Sequence, residues 1–478
     1  MNISIKIEEL EQKLSSALCL IEEQSKIIKA QSVLISKQSK EIIELKAVVK
    51  KLSENNIRKT SKNSHLPPSK DLTRVEVKKN QSLREKSKKP VGGQLGHKGS
   101  TLLMKEKPDE IINLRPNYCN KCGQSLIDHQ ARQIGRRQLI DIPPIIPITT
   151  EYRNHEIVCD CGNCQQGTYP EGLTNHIQYG KNIQSIIIYQ NIYQYVPFKR
   201  LQDFFGKIMG LKISKGTLEN IIRRTSKKAE NTYEQLRKVI EVSFFVGSDE
   251  TGAKLKGKKM WFWVWQSAIV TYIVAACTRS KQVIEDTFPQ GLPNSILCSD
   301  RLAAQLSTVS KGTQICLAHL LRDLNYLIEK EETEWAKSFK QLLKDAIKLK
   351  QQQNQYKLTD KEAVNIEIRA DNLLKKSFEE LKWTKENQHK TMTFFNGMVK
   401  LRYALFPFLY HELVPPDNNG SERAIRPIKV KMKISGQFKS LHQEFAILRS
   451  VIDTAIKNGQ PVFEAIQAII NLPSKTAG

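Results

Sequence analysis

The chain has 478 residues, with 75 lysines and arginines against 49 aspartates and glutamates, a formal net charge of +26. That length exceeds one ordinary core and implies two to four domains, while the charge argues against an anionic surface and for a polyanionic partner, nucleic acid before membrane. The N-terminus lacks the apolar core of a signal peptide, and the one span-like stretch, Met260 to Cys277, is broken by Gln266, Ser267 and Thr271. Two adjacent strands explain that stretch better than a helix in lipid, so a cytoplasmic protein with no membrane partner is expected.

Residues 1–56 carry an unbroken heptad. One seam holds Ile7, Leu14, Ile21, Ile28, Ile35, Ile42 and Val49; the other holds Leu10, Ala17, Gln24, Gln31, Gln38, Leu45 and Leu52. Spacings of three and four without a slip specify a left-handed coiled coil, and β-branched residues on the first seam favour a parallel homodimer, with higher assemblies left open. Residues 57–108 follow as a basic, loop-like linker. Between Arg58 and Lys98 there are twelve lysines and arginines against three acids, and no apolar period runs through it. It reads as a solvated linker that can also settle on DNA phosphates.

Residues 109–172 surround a cysteine cluster. Of nine cysteines, Cys19, Cys277, Cys298 and Cys316 are scattered, whereas Cys119, Cys122, Cys159, Cys161 and Cys164 lie close in sequence. That distribution suits reduced thiols and a structural Zn²⁺ site better than disulfides. Cys119-Asn-Lys-Cys122-Gly is one zinc half-site, because two intervening residues let both sulfurs reach one ion. In "CDCGNC" the same spacing selects Cys161 with Cys164, Cys159 being the alternative and His155 a further candidate. Between the halves, the alternation around Pro143–Pro144 predicts two strands joined there.

Residues 173–240 read as helical. A first helix, a turn at Gly210 and a second helix capped by Ser214 fit a helix-turn-helix, with Arg223 and Arg224 as DNA-contacting residues; two ordinary packed helices fit the same pattern. From 241 onward, strands are predicted at Phe244 to Gly247, Trp261 to Trp265, Ile269 to Ala276, Ile296 to Cys298 and Gln314 to Leu317. A helical insertion (331–398) separates this first part, 241–330, from a C-terminal part, 399–478. Three strands in meander followed by alternating strands and helices predict a ribonuclease-H-like α/β core with a helical insertion. The expected whole is multidomain α/β: coiled coil, zinc-binding β unit, helix-turn-helix-like region and that core.

Three carboxylates carry the chemistry. Asp249 ends the apolar run "VSFFVGSD", Asp300 ends "NSILCSD", and Glu422 opens a helix after "PPDNNG". Strand ends of an α/β sheet gather at the edge where ligands bind. Converging there, the acids would repel unless cations lie between them, and two Mg²⁺ (or Mn²⁺) ions roughly 4 Å apart would suit phosphodiester displacement. Each acid alone reads as a turn or capping residue; the ordered set in a basic chain does not. Arg423, Arg426 and Lys429 follow Glu422 as a grip on phosphate. Asp417, in the Pro-led turn, stays outside the set.

The blocks "SDETG", "CSDR", "CLAHLLRDL" and "DNNGSERAIRP", with "NSHLPPSKD", "GGQLGHKGSTL", "CNKCGQSL" and "IDIPPI" upstream, resemble the bacterial DDE transposases named for insertion sequence sixty-six. The resemblance runs nearly end to end. It implies metal-binding catalytic roles for Asp249, Asp300 and Glu422, DNA contacts by Arg423 and Arg426 near the scissile phosphate, and a further family block at His319 and Arg322. The implied activity is cleavage at transposon ends followed by 3′-OH strand transfer. Implied partners are terminal inverted repeats, target DNA and accessory proteins of the same element, at the bacterial nucleoid. A non-catalytic DNA-binding regulator and a nuclease without strand transfer are the competing readings.

Overall fold

The computed structural model describes residues 3–56, 96, 102–352 and 360–473. Nearly all of the basic linker therefore lies outside the described residues. Ile3–Asn56 is one helix of 54 residues, and its apolar seam is exposed at Leu14, Ile21, Ile28, Ile35, Ile42, Leu45 and Val49. No described helix is long and apolar enough to cross a membrane.

In the cysteine region the strands are β1 (Glu156–Val158) and β2 (Cys164–Gln166), paired antiparallel. The strands expected around Pro143–Pro144 do not form: residues 131–155 make no ladder. Alternation supplies one apolar face per strand, but a strand exists only where a neighbour takes its backbone groups, and the proline pair removes two donors from the stretch.

The main sheet has five strands: β3 (Phe245–Leu255), β4 (Lys258–Gln266), β5 (Thr271–Ala276), β6 (Leu292–Ser299) and β7 (Ser310–Ile315). Their order is β5-β4-β3-β6-β7. The first three form an antiparallel meander, and β3/β6 and β6/β7 are parallel. Burial explains their residues. β4 is "KKMWFWVWQ", apolar on both faces from Phe262 onward, and both faces are covered.

On one face Phe262, Val264 and Ile273 pack with the helices Lys215–Val242, Asn419–Ser435 and His442–Lys457. On the other, Trp263 and Trp265 pack with Tyr272, Phe288 and the end of the Lys215–Val242 helix. Residues assigned to 173–240 and 241–330 thus share one core. The two expected helices are present as Phe198–Ile208 and Lys215–Val242, with Gly210 at a φ of +68° between them. Ser214 caps the second, its Oγ accepting from the Thr217 N–H at 3.1 Å.

The insertion has its own aromatic core, in which Trp335 stacks on Phe339 and meets Trp383 edge-on. Its first helix, Leu317–Glu331, starts directly after β7, earlier than the sequence-based boundary. Its far end returns to the same place: the Leu317 N–H donates to Pro416 O at 2.9 Å, and the Asn418 N–H to Cys316 Sγ at 3.2 Å. About a hundred residues therefore leave and rejoin the sheet at one point, and the chain reaches Glu422 beside the strand ends.

Candidate active site

The parallel pairing of β3 and β6 ends at Gly247 and Cys298. Asp249 and Asp300 each lie two residues beyond that pair. Residues two apart on a strand share a face, and neighbouring strands lie about 4.8 Å apart, so the register brings the two acids together. Asp249 does not end its strand, as the apolar run suggested. It sits inside β3, which continues to Leu255 because β4 keeps pairing with it after β6 has stopped.

Glu422 comes from the first turn of the Asn419–Ser435 helix. That helix is fixed by residues that sequence reasoning passed over. Asn418, wholly buried, donates from Nδ2 to Ser248 O at 2.6 Å and accepts from Ser421 Oγ at 2.6 Å. Two glycines permit the close approach. A Cβ on Gly420 would lie 2.4 Å from Gln266 Nε2, and one on Gly247 would lie 2.6 Å from Asn418 Oδ1. The signal was present in "DNNG": a buried amide to bridge to the strand and a residue without Cβ where helix meets sheet. Asp417 accepts the Asn419 N–H at 3.0 Å, a turn contact.

His319 and Arg322, one turn apart on the insertion's first helix, link the acids. His319 Nδ1 is 2.7 Å from Asp300 Oδ1 and its Nε2 is 3.6 Å from Glu422 Oε1. Arg322 Nη2 donates to the same Glu422 oxygen at 2.9 Å. Burial, then the charges of Asp300, Glu250 and Glu422, hold the Asp249 carboxyl well above the usual carboxylate range. A buried carboxyl whose charged form is disfavoured by neighbouring carboxylates belongs to a donor set suited to divalent cations. Asp300, Cys316 and His319 also place one ligand atom each within 4.8 Å of one another, the one such trio among the described residues. Burial keeps the Cys316 thiol protonated.

Glu250, not singled out in the sequence, is a fourth acid. Its side chain points to the opposite face of β3, is nearly buried, and is held by Arg279 and by Gln305 Nε2 at 3.1 Å. The flanking cations Arg423, Arg426 and Lys429 are exposed, spaced by three along one helix face. Among the described residues neither Arg423 nor Arg426 forms an ion pair. Arg223 and Arg224 are exposed as well, although Arg223 reaches Glu219 at 3.7 Å and Glu444 at 3.8 Å.

The cysteines form two turns. Gly123 and Gly162 take positive φ after Cys122 and Cys161, and their N–H groups donate to Cys119 O and Cys159 O. The thiol pairs Cys119/Cys122 and Cys159/Cys161 are in contact, whereas Cys164 bonds Glu156. The two turns are not drawn into one four-sulfur cluster.

A family model described as Transposase IS66 family matches residues 176–444. That span takes in both aspartates, Glu422 and the whole insertion. A search of curated proteins finds no match.

Proposed function

From a chain that belongs to the IS66 family of transposases, we propose a DDE enzyme that cuts at transposon ends and joins the freed 3′-OH to target DNA. One observation carries the reading: Asp249 and Asp300 stand two residues past the same parallel pair, and His319 spans from Asp300 to Glu422. The sheet order β5-β4-β3-β6-β7 supports a ribonuclease-H-like core, with Asp249 on β3, Asp300 just past the end of the neighbouring parallel strand β6, and Glu422 on a helix beside them.

Two Mg²⁺ or Mn²⁺ ions held by Asp249, Asp300 and Glu422 would supply activation of the attacking hydroxyl and stabilisation of the leaving oxygen. The rest falls to the chain. Arg423, Arg426 and Lys429 grip the strand entering beside Glu422. His319 fixes the Asp300 carboxylate, and Arg322 fixes that of Glu422. In the first reaction water attacks the phosphorus at the transposon end, breaking its bond to the 3′ oxygen and leaving a 3′-OH and a 5′-phosphate. In the second that 3′-OH attacks a target phosphodiester and a target 3′-OH departs, so no covalent enzyme intermediate is needed.

Terminal-repeat binding is assigned to the basic linker, the cysteine unit and the Phe198–Val242 helices, with Arg223 and Arg224 contributing phosphate contacts. Structural Zn²⁺ would be held by Cys119 and Cys122 with Cys161 and one of Cys164 or Cys159. The exposed heptad seam favours a homodimer or larger assembly holding two ends together. Accessory proteins of the same element and a place at the nucleoid complete the proposal.

Asp249→Asn tests the chemistry. Cleavage and joining of pre-cut 3′-OH ends, assayed with Mg²⁺, should fall at least 10³-fold while binding of the ends persists. Undiminished strand transfer in that variant would remove Asp249 from the reaction. Cleavage by the wild type without any joined product would make it a nuclease.

A further inference from the structure

The tip of the β3–β4 hairpin concentrates positive charge. Lys254, Lys256, Lys258 and Lys259 are all exposed within six residues, and among the described residues none pairs with a carboxylate. Lys254 and Lys259 are direct cross-strand partners, an arrangement of like charges that destabilises a hairpin. The two-residue turn takes positive φ at both positions, +47° at Lys256 and +80° at Gly257. Asparagine or glycine normally fills the first of these, so a lysine there runs against the local preference.

The tip is nevertheless held firmly. The Lys256 N–H donates to Phe438 O at 2.9 Å, the Phe438 N–H to Lys254 O at 2.7 Å, and the Gly257 N–H to Gln437 Oε1 at 2.6 Å. Phe438 itself is buried against Phe262 and Phe445. The strand that carries Asp249 thus ends in a rigid lysine tip, braced by the segment that follows the Glu422 helix. Lys259 lies over the Trp261 ring at 4.8 Å, beside Arg279 at 5.0 Å, which extends the cationic surface back towards Glu250.

We propose that this hairpin tip binds the phosphate backbone of duplex DNA about half a helical turn from the cleaved bond and sets the register of that DNA on the carboxylates. The inference rests on the transposase reading of the site. Five residues of strand separate Asp249 from Lys254, about 17 Å at about 3.3 Å per residue. Lys256, two residues further, lies about 23 Å away, so at about 3.4 Å per base pair the contacted phosphates lie about five to seven base pairs from the cut. Lys258 shares the face of β3–β4 that holds Asp249, and Lys254 and Lys259 occupy the other, so the ribbon can meet phosphate on both sides.

The test combines Lys254→Gln, Lys256→Asn, Lys258→Gln and Lys259→Gln in the full chain. Asparagine keeps the left-handed turn position accessible, and an unchanged melting temperature checks the fold. Binding to a duplex carrying the terminal repeat is measured across a salt series. Each phosphate contact contributes about 0.9 to the slope of log K against log salt, so the slope should fall by about two to four. A neutral methylphosphonate placed five to seven base pairs from the cut should weaken the wild type and leave the variant unaffected. An unchanged slope overturns the proposal; an unchanged slope with an altered sedimentation coefficient does so too, and assigns the tip to contact between copies. Asp249→Asn should keep the wild-type slope. If that variant still cuts and joins, the assigned chemistry fails while the hairpin result stands.

Discussion

The buried contacts of single residues decide whether three acids distant in sequence become one site. Asn418 is the clearest instance. Its amide joins the Glu422 helix to Ser248, the residue before Asp249. Asn418→Ala leaves the Ser248 carbonyl and the Ser421 hydroxyl without that partner, at a cost of about 1–3 kcal/mol, read as a lower denaturant midpoint. Activity should fall further than stability accounts for, because Glu422 loses its tether. Asp249 adds a pH signature. Its carboxyl titrates above the ordinary carboxylate value in the fold, so the folded state holds its proton longer than the unfolded chain does. Without metal, stability is therefore unpenalised below about pH 4 and is lost as pH rises through the elevated folded value. Melting temperatures across pH should show that loss in the wild type, a smaller loss in Asp249→Asn, and recovery on adding Mn²⁺. The types and order of these acids were legible in the sequence. The roles of Asn418, Gln305 and Glu250 were not, since an amide or a second carboxylate gains meaning only from what lies across the sheet.

Among the elements, those with a strong period were legible and those defined by partners were not. The meander strands and the Ser214-capped helix follow from apolar pattern and capping chemistry. The missing strands near Pro143–Pro144 and the extension of β3 past Asp249 depend on which neighbour is present. The extension still had a local trace: Thr251 and Ala253 are buried and alternate with exposed Gly252 and Lys254. The insertion is the other partner-defined element. Its aromatic core supports the helix that presents His319 and Arg322, so packing far from the acids bears on them. Trp335→Ala should remove about 3–5 kcal/mol, measured by denaturant unfolding. Hydrogen exchange should then rise first in the Leu317–Glu331 and Glu334–Gln352 helices, ahead of β3 and β6.

For the whole molecule, the N-terminal helix sets how many sites act together. Its 54 residues span about 80 Å at 1.5 Å per residue, and its heptad seam, legible from the sequence alone, is uncovered in a single chain. An exposed row of isoleucines this long is costly in water, and pairing two seams buries it. The central glutamines Gln24, Gln31 and Gln38 cost stability but penalise shifted registers, as polar residues in a coiled-coil seam do. On the proposed chemistry, cutting one end needs only one set of carboxylates, whereas joining both ends to one target needs two sets held together. Ile28→Asp combined with Ile35→Asp puts charge into the seam and should shift the protein from dimer or larger to monomer in sedimentation equilibrium. Metal-dependent nicking of a single end should survive in that variant within a few-fold, and concerted joining of two ends should fall by at least tenfold. If concerted joining persisted in a monomeric variant, the pairing of ends would belong to the α/β body, and the helix would serve another partner.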